Sequence, residues 1–282
     1  MNNVNPDNLK VTHHHPRDDA IHFYEDGHKY EIDIDPDTKY TSVTTWNHYH
    51  FPKFNADAVI QNMMKGRNWN PTNKYWGMTP EEIKKMWSNN GASVSQSGTD
   101  MHADIECFMN NPDLPPNYTH LDLLNEYKRM NNHTNTSVEW QYFLQFVEHH
   151  PHLKPYRTEW MIYDEDIKIA GSIDMIYENP DGTLSIYDWK RCKDITMTSD
   201  FKKCALNRLI KHIPDTNYWH YALQLNTYKQ MLENKYGKTI KELFLVRLHP
   251  DAVEKTYELI PLPILQTEMT ALFAERVAFV NK

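Results

Sequence analysis

The chain has 282 residues, of which 40% are hydrophobic and 24% charged, so it can form one large globular domain or a catalytic core with an accessory region. No apolar run approaches the roughly 20 residues that cross a bilayer, and the polar N-terminus lacks the features of a signal peptide, so we expect a soluble, intracellular protein with no membrane partner. The net charge of −8 does not by itself mark a nucleic-acid binder.

The N-terminal stretch is polar, contains proline and shows no periodicity, which predicts a disordered segment over residues 1–20. Three consecutive histidines, His13–His15, fall in this segment, and we expect them to lie outside the chemistry. A hairpin is predicted over His22–Ile34 around the turn sequence Asp26-Gly27. A β-rich patch follows over Tyr40–Thr45.

Two helices are predicted next. One lies within Pro52–Met64 with Asn55 as its N-cap. Another opens at Thr79-Pro80-Glu81-Glu82, where a capping residue, a proline at the first position and acids in the first turn coincide. No catalytic pattern appears in this part of the chain, so residues 21–92 are predicted to form an N-terminal accessory region.

Residues 93–282 are predicted to form an α/β core with a mixed sheet flanked by helices. Ser97 or Thr99 is expected to cap a helix with Met101, Ile105 and Phe108 on one face. The other predicted helices are Leu121–Met130, Val138–His149, Tyr218–Tyr236 ending at Gly237, and Leu262–Val280. The predicted strands are three antiparallel ones, Tyr156–Tyr163, Ile167–Tyr177 and Thr183–Trp189, followed by Leu243–Leu248 and Lys255–Leu259.

The hairpin around Asn179-Pro180-Asp181-Gly182 carries the candidate chemistry. This sequence suits a type I turn followed by glycine in the left-handed region, a loop in which Asn179 pairs with Thr183. Counting outward makes Asp174 and Asp188 direct cross-strand neighbours, with Cβ atoms about 4.5–5.5 Å apart. Lys190, two residues beyond Asp188, projects to the same face.

Two like charges placed in this way repel, and a divalent cation would remove the repulsion by using both carboxylates as oxygen ligands. An ammonium beside them can steady an attacking water or the charge that develops on a phosphoryl group. The alternative is a surface hairpin with an incidental Asp-x-Lys pair, because a one-residue slip in register would separate the two acids.

Five further side chains are candidates for the same site. His102 and Glu106 lie four residues apart on one helix face, and an imidazole ligand would favour manganese over magnesium. Glu159 lies in the strand before the hairpin, where it either supplies another acid near the metals or faces solvent. Gln224 and Tyr228 share a helix face, where they form ordinary helix surface, orient the lysine or contact a DNA backbone.

A basic stretch runs from Lys190 to Lys211, directly after the candidate catalytic strand. Such a run is either a solvated face or a surface that contacts phosphates. Arg191 and Lys193, at its start, are the candidates for contact with a nucleic-acid backbone.

Taken in order, these motifs resemble the RecB-like branch of the PD-(D/E)XK nuclease superfamily. The matching elements are Gly98…His102, Glu159, Gly171-Ser172-Ile173-Asp174, Asp188-Trp189-Lys190 and Gln224…Tyr228. The stretches Asp-Trp-Lys-Arg and Tyr-Ala-Leu-Gln-Leu-Asn-Thr-Tyr-Lys are most similar to those of nucleases from large DNA viruses and of mitochondrial single-strand exonucleases. The resemblance covers residues 97 to 237.

This resemblance implies a restriction-endonuclease-like core and a metal-dependent DNA nuclease, expected to be an exonuclease on single-stranded DNA or DNA ends in replication, recombination or repair. The implied ligands of two Mg²⁺ or Mn²⁺ ions are His102, Asp174, Asp188 and the Trp189 carbonyl. The implied catalytic residues are Asp174, Asp188, Lys190 and Glu159. Substrate contacts are expected from Gln224, Tyr228, Arg191 and Lys193.

Several members of this branch hold an iron–sulfur cluster with four cysteines. This chain has three scattered cysteines, Cys107, Cys192 and Cys204, so it is similar to the members without an iron–sulfur cluster. Its composition is rich in asparagine, lysine and tyrosine and poor in glycine, which is typical of an AT-rich genome. A viral protein acting in the cytoplasm or nucleus of an infected cell fits that composition.

Three other interpretations remain open. The same site could serve an endonuclease acting on structured DNA or on RNA. A catalytically inactive nuclease fold could act as a nucleic-acid-binding module, although such proteins usually lose an acid or the lysine, and all are present here. An unrelated protein with a chance motif order predicts a hairpin register in which Asp174 and Asp188 do not meet.

Overall fold

A computed structural model describes residues 7–130, 134–199 and 202–282. The described chain is an α/β protein with a mixed six-strand sheet flanked by helices and a small N-terminal two-strand sheet. The helices are α1 (Asn8–Thr12), α2 (Val43–His48), α3 (Ala56–Lys65), α4 (Pro80–Met109), α5 (His120–Arg129), α6 (Val138–His149), α7 (Asn217–Lys235) and α8 (Gln266–Val280). The strands are β1 (Ile21–Tyr24), β2 (Lys29–Ile32), β3 (Thr41–Ser42), β4 (Lys154–Asp164), β5 (Ile169–Glu178), β6 (Leu184–Lys190), β7 (Ile240–Arg247) and β8 (Glu258–Pro261).

A 3-10 helix spans Pro16–Ala20. In the part of the chain that the structure describes, no helix combines the length and the apolar character that crossing a bilayer requires.

Strand β5 lies at the centre of the site and is paired unevenly. One edge pairs with β4 along its whole length. The other edge pairs with β3 only at Ile169 and Ala170, and with β6 only from Met175 to Glu178. The residues between, 171–174, therefore have no ladder partner among the described residues on that edge.

Apolar side chains cover both faces of the large sheet. Helices α7 and α8 contribute to a cluster that includes Trp160, Ile186, Leu223, Met231 and Leu272. Helices α4, α5 and α6 contribute to a second cluster that includes Ile105, Phe143, Phe146, Tyr177 and Trp189. The sheet is thus fixed between two helical layers, which gives the strand ends defined positions.

Most predicted elements are confirmed. The hairpin β1–β2, helix α3 with Asn55 as its cap, helix α6 and the antiparallel strands β4, β5 and β6 form where the sequence predicts them. Helices α5, α7 and α8 and strands β7 and β8 are confirmed with ends shifted by one to four residues. Gly237 follows α7 with a φ of +61°, as a C-terminal glycine should.

The disorder predicted over residues 1–20 is wrong for the described part of that segment, while residues 1–6 lie outside the described residues. Helix α1 buries Leu9, whose main-chain N–H donates to the Asn110 side chain (2.9 Å). The ring of His13 packs on Tyr156 with centroids 4.2 Å apart. These contacts join residues about 100 or more positions apart, so no local pattern could reveal them.

The β-rich patch predicted over Tyr40–Thr45 is only partly a strand. Thr41 and Ser42 form β3, but Ser42 then caps α2 by accepting a hydrogen bond from the Thr45 main-chain N–H (3.2 Å). Burial of Val43 against the core outweighs the strand preference of a β-branched residue.

The helix start predicted at Ser97 or Thr99 is also wrong. Helix α4 runs without interruption from Pro80 to Met109, with Thr79 as its cap. The Thr99 hydroxyl donates to the Ser95 carbonyl inside the helix (3.2 Å) instead of capping a new one. The predicted boundary between residues 92 and 93 therefore falls within one helix that belongs to both regions.

A buried ion pair fastens the N-terminal segment to β4. Asp18 accepts hydrogen bonds from Arg157 (2.6 Å) and from the Trp160 indole (2.8 Å), and the two charged side chains are 2% and 3% exposed. Burial acts to raise the pKa of Asp18, but the hydrogen bonds from Arg157 and from the His15 main chain outweigh burial and lower that pKa. The carboxylate is therefore charged in the folded protein.

Replacing Asp18 with alanine leaves Arg157 buried without its acid, so we expect Asp18→Ala to lower the free energy of unfolding by about 3–5 kcal/mol at neutral pH. Asp19→Ala is the matched control, because the Asp19 side chain is 75% exposed and pairs with an exposed histidine. Its effect should stay within about 1 kcal/mol. Urea unfolding measures both, and equal stabilities at neutral pH would contradict the role given to Asp18.

The Asp18–Arg157 pair makes the stability of the folded protein depend on pH. The folded-state pKa of Asp18 lies below its unfolded value of about 3.9, so its contribution to stability is complete above that pH. The difference between wild type and Asp18→Ala should shrink as the pH falls below about 3.9.

Candidate metal centre

The β5–β6 hairpin brings Asp174 and Asp188 together in the predicted register. The turn closes with Gly182 in the left-handed region at a φ of +79°. Main-chain pairing ends at Met175 opposite Tyr187. Extending this register by one position pairs Asp174 with Asp188, and the charge of Asp174 acts on Asp188. The slipped register, which an unrelated protein with a chance motif order predicts, is wrong.

Main-chain pairing between β5 and β6 stops at these two acids. In place of a carbonyl, the Asp174 carboxylate accepts the Trp189 main-chain N–H (3.0 Å). Ile173 and Ile176 pack in the same core cluster although strict alternation would put them on opposite faces. The alternation of side chains along β5 is therefore interrupted between Ile173 and Ile176, and the Asp174 side chain takes over a main-chain hydrogen bond.

Lys190 lies on the same face as Asp188, as predicted, with its ammonium 2.5 Å from Asp188 Oδ2. That oxygen is buried and accepts no well-directed hydrogen bond within the described chain, so the contact is an ion pair. The ring of Tyr221 on α7 lies 4.6 Å from the ammonium. Lys190 is thus held between an acid and an aromatic ring, with a side chain that is 17% exposed.

Glu159 lies opposite Asp174 in the β4–β5 register. Its φ of +41° puts a non-glycine residue in the left-handed region inside a strand, a conformation that costs about 1–3 kcal/mol and persists only where its surroundings impose it. The Ser172 hydroxyl donates to Glu159 Oε2 (2.9 Å). The strained backbone brings this acid to the cluster.

His102 projects from α4 to the end of the strands. Its Nε2 donates to the Trp189 carbonyl (3.0 Å), while Nδ1 lies 3.7 Å from Glu159 Oε1 and 3.7 Å from Asp174 Oδ2. One imidazole therefore touches residues from β4, β5 and β6, which places α4 against the site.

Burial and the charges within the cluster shift the pKa values of its side chains. Burial acts to lower the pKa of His102, but Asp174 and Glu159 outweigh burial and raise that pKa to about 9. Burial, and then the charge of Asp174, raises the pKa of Asp188 to about 6. Burial opposes the charge on Lys190, yet Asp188 and Asp174 raise the pKa of the ammonium above its usual value. Two cations are therefore held among three acids.

The residues present fit a divalent cation. Donor atoms of His102, Glu159 and Asp174 all lie within 4.8 Å of one another. Opposite ligands of an octahedral Mg²⁺ ion stand about 4 Å apart. Asp188 supplies a buried oxygen without a hydrogen bond, and the Trp189 carbonyl lies beside the imidazole. The geometry adds Glu159 to the predicted ligands, and Asp188 has Lys190 as its nearest charged partner.

Tyr228 supports β5 from below instead of facing a substrate. Its side chain is 3% exposed and lies against Gly171. Burial raises the pKa of Tyr228 well above its usual value. Gln224, one turn earlier on α7, is half-buried. Tyr228 therefore packs beneath the site, a role that is not among those predicted, and its burial does not fit helix surface or contact with a nucleic-acid backbone.

The two basic residues predicted to contact substrate differ in their surroundings. Arg191 is paired with Glu139 on α6 (2.5 Å), and its side chain is 17% exposed, so it acts first as a link between β6 and that helix. Lys193 is exposed, while its carbonyl accepts a hydrogen bond from Arg247 (2.8 Å). Lys193 therefore remains the better candidate for a phosphate contact.

Sequence reasoning missed Tyr221 and the cleft beside Glu159. Tyr221 precedes Gln224 by three residues on the same helix face, so the helix motif could have been extended to it. The cleft has a volume of about 510 Å³ and is lined by Glu159, Glu106 and Tyr30 among others. Burial and then the charge of Glu159 raise the pKa of Glu106 to about 7.

Comparison with protein-family models and with curated proteins finds no match for this chain. The motifs and the geometry of the centre therefore carry the indication of function. That geometry combines buried acids, one imidazole and one lysine at a strand end, beside a cleft large enough for part of a substrate.

The contact between Gly171 and Tyr228 leaves no room for a side chain, because a Cβ at residue 171 would lie 2.8 Å from Tyr228 Cε1. We expect Gly171→Ala to lower the free energy of unfolding by about 1–3 kcal/mol. Tyr228→Leu removes the ring and should rescue part of that loss, whereas Tyr228→Phe keeps Cε1 and should not. Urea unfolding of single and double variants measures the coupling, and additive effects in both pairs would refute the contact.

Proposed function

We propose that this protein is a divalent-metal-dependent nuclease with a restriction-endonuclease-like core of the RecB-like branch. The observation that carries the proposal is the convergence of Asp174, Asp188 and Lys190 where β5 and β6 part, with His102 and Glu159 against them. Buried like charges of this kind destabilise a fold, so their presence indicates that the function requires them.

The side chains of the centre have distinct proposed roles. Asp174, Asp188, the Trp189 carbonyl and His102 would hold Mg²⁺ or Mn²⁺, with Glu159 as a further ligand. When bound, such an ion supplies an activated water and polarises a phosphoryl oxygen. Stabilisation of the developing charge depends on the side chains of the cluster and on the residues around them.

Lys190 places a cation where negative charge develops on the phosphoryl group. Asp188 and Tyr221 hold that ammonium in position. Burial keeps the local dielectric low, so these charges act more strongly than they would in water.

The proposed substrate is DNA, as single strands or ends, in replication, recombination or repair. The exposed Lys193 beyond β6 offers positive charge for a phosphate, and the cleft beside Glu159 offers room for part of a strand. The presence of both aspartates and the lysine supports an active enzyme over an inactive nucleic-acid-binding module. The composition supports a viral context.

The first test is cleavage of end-labelled, linear single-stranded DNA with Mn²⁺, Mg²⁺ or EDTA. We expect metal-dependent shortening by the wild type and a loss of more than about 100-fold in Asp188→Asn, because replacing outer-shell partners of a metal already costs about 10–100-fold. Asp181→Asn makes the same change at the exposed turn of the same hairpin and should keep the activity.

Circular DNA and RNA of the same sequence separate the alternatives. Cleavage of circles would indicate an endonuclease, and cleavage of RNA alone would change the substrate class. If neither DNA nor RNA is cut with either metal, the nuclease proposal fails and an inactive binding module becomes the better account.

Lys190→Met should lower kcat by about 10²–10³-fold, the usual effect of removing a group that stabilises developing charge. Mn²⁺ binding measured by titration calorimetry should persist, because the acids remain. Lys193→Met, three residues further on, should raise KM and leave kcat unchanged, as expected for a phosphate contact. A Lys190→Met protein with the wild-type kcat would exclude Lys190 from the chemistry.

A further inference from the structure

Residues 53–87, which we call the aromatic segment, carry a charge opposite to that of the chain. They include α3, the loop that follows it and the start of α4, with six lysine and arginine residues against three acids in a protein of net charge −8. The Glu82 carboxylate accepts a hydrogen bond from the Thr79 main-chain N–H at the start of α4, and Asp57 pairs with Lys84. Within the described chain, Lys84 is the one cation of this segment with an ionic partner.

Aromatic rings are interleaved with these cations. Trp69 and Trp76 have centroids 5.6 Å apart, and Trp87 lies 6.2 Å from Phe54 and 5.9 Å from Tyr75. Phe54 is 74% exposed and Trp76 is 46% exposed. Exposed rings among unpaired cations are the features with which proteins stack the bases and hold the phosphates of single strands.

Helix α4 joins this segment to the candidate centre. His102 follows Trp87 by 15 residues in one uninterrupted helix, which corresponds to about 22 Å. Gly91, Ser95 and Gly98 precede His102 at the spacing of one helix face. A Cβ at either glycine would meet nothing within 4 Å, so packing does not explain residues that cost a helix about 1 kcal/mol each.

We propose that the aromatic segment binds single-stranded nucleic acid and directs it along α4 to the candidate metal centre. A protein partner fits less well, because protein interfaces are depleted in lysine and this segment has five. Duplex DNA also fits less well, because its bases are already stacked. The binding surface stands on the observations above, whereas the destination of the strand rests on the proposed nuclease function.

The test measures binding of fluorescein-labelled oligothymidine of about 20 nucleotides, longer than the sites of about 4–16 nucleotides typical of such surfaces. Fluorescence anisotropy in EDTA, with Asp188→Asn in every protein, removes cleavage from the readout. Phe54→Ala combined with Trp76→Ala should weaken binding by about 5- to 150-fold for each stacked base lost. Lys65→Gln combined with Arg67→Gln should reduce the slope of log K against log salt by about 0.7 for each phosphate contact.

Matched controls lie elsewhere on the surface. Lys238→Gln combined with Lys241→Gln removes the same charge near the turn end of the sheet, and Phe279→Ala removes a ring that is 65% exposed. Both should bind as the parent protein does. Thermal unfolding checks that each variant folds, and the charge pair carries the test if the aromatic pair does not fold.

The outcomes separate the two proposals. Weaker binding in both segment variants, with controls unchanged and duplex bound less tightly, supports the inference even if the wild type cuts no substrate. Binding equal to that of the parent in both segment variants overturns it, as does equally tight binding of duplex, even if the wild type cleaves DNA.

Discussion

The architecture of the centre depends on like charges buried at the point where β5 and β6 stop pairing. The Asp174 and Asp188 side chains are 12% and 3% exposed. Two unit charges about 4 Å apart repel by about 4 kcal/mol at an effective dielectric of about 20. The surrounding elements offset this repulsion, since β6 supplies Lys190 and the Trp189 amide, and α4 supplies His102.

That arrangement requires a break in regular strand geometry. If β5 were paired with β6 along its whole length, the Trp189 main-chain N–H would donate to a β5 carbonyl. It would then not be available to the Asp174 carboxylate. The break is stabilised from outside, because Tyr228 fills the space against Gly171 and Glu159 adopts a strained backbone on the opposite edge. Helix α7 thus supports the strand through Tyr228 and positions the lysine through Tyr221.

The sequence predicts those features of the centre that follow from short-range geometry. The register of Asp174 and Asp188 follows from a turn type and a period of two over about ten residues. The position of Lys190 follows from the same count. The sequence also predicts the helix that carries Tyr228. The burial of Tyr228 depends on how closely α7 approaches β5, and the only indication of this in the sequence is the glycine at position 171.

Other features depend on contacts that no local pattern encodes. The Asp18–Arg157 pair joins residues 139 positions apart and folds a segment that composition alone predicts to be disordered. Ser97 and Thr99 have the chemistry of helix caps, yet α4 passes through both because Met101 and Ile105 continue its buried face. The left-handed backbone of Glu159 is imposed by its neighbours, since glutamate has no preference for it.

The continuity of α4 has an electrostatic consequence that joins the two proposals. A centre that binds cations must be acidic, and an acidic centre repels phosphates. The aromatic segment ends at Trp87, about 22 Å from His102 along α4. This distance is well beyond the Debye length of about 8 Å at physiological ionic strength. The positive charge of the segment can therefore attract a strand without neutralising the acids of the centre. Close to the acids, His102, Lys190 and bound cations act against the negative field, so a strand held by the segment would be accepted at the centre when the cations are in place.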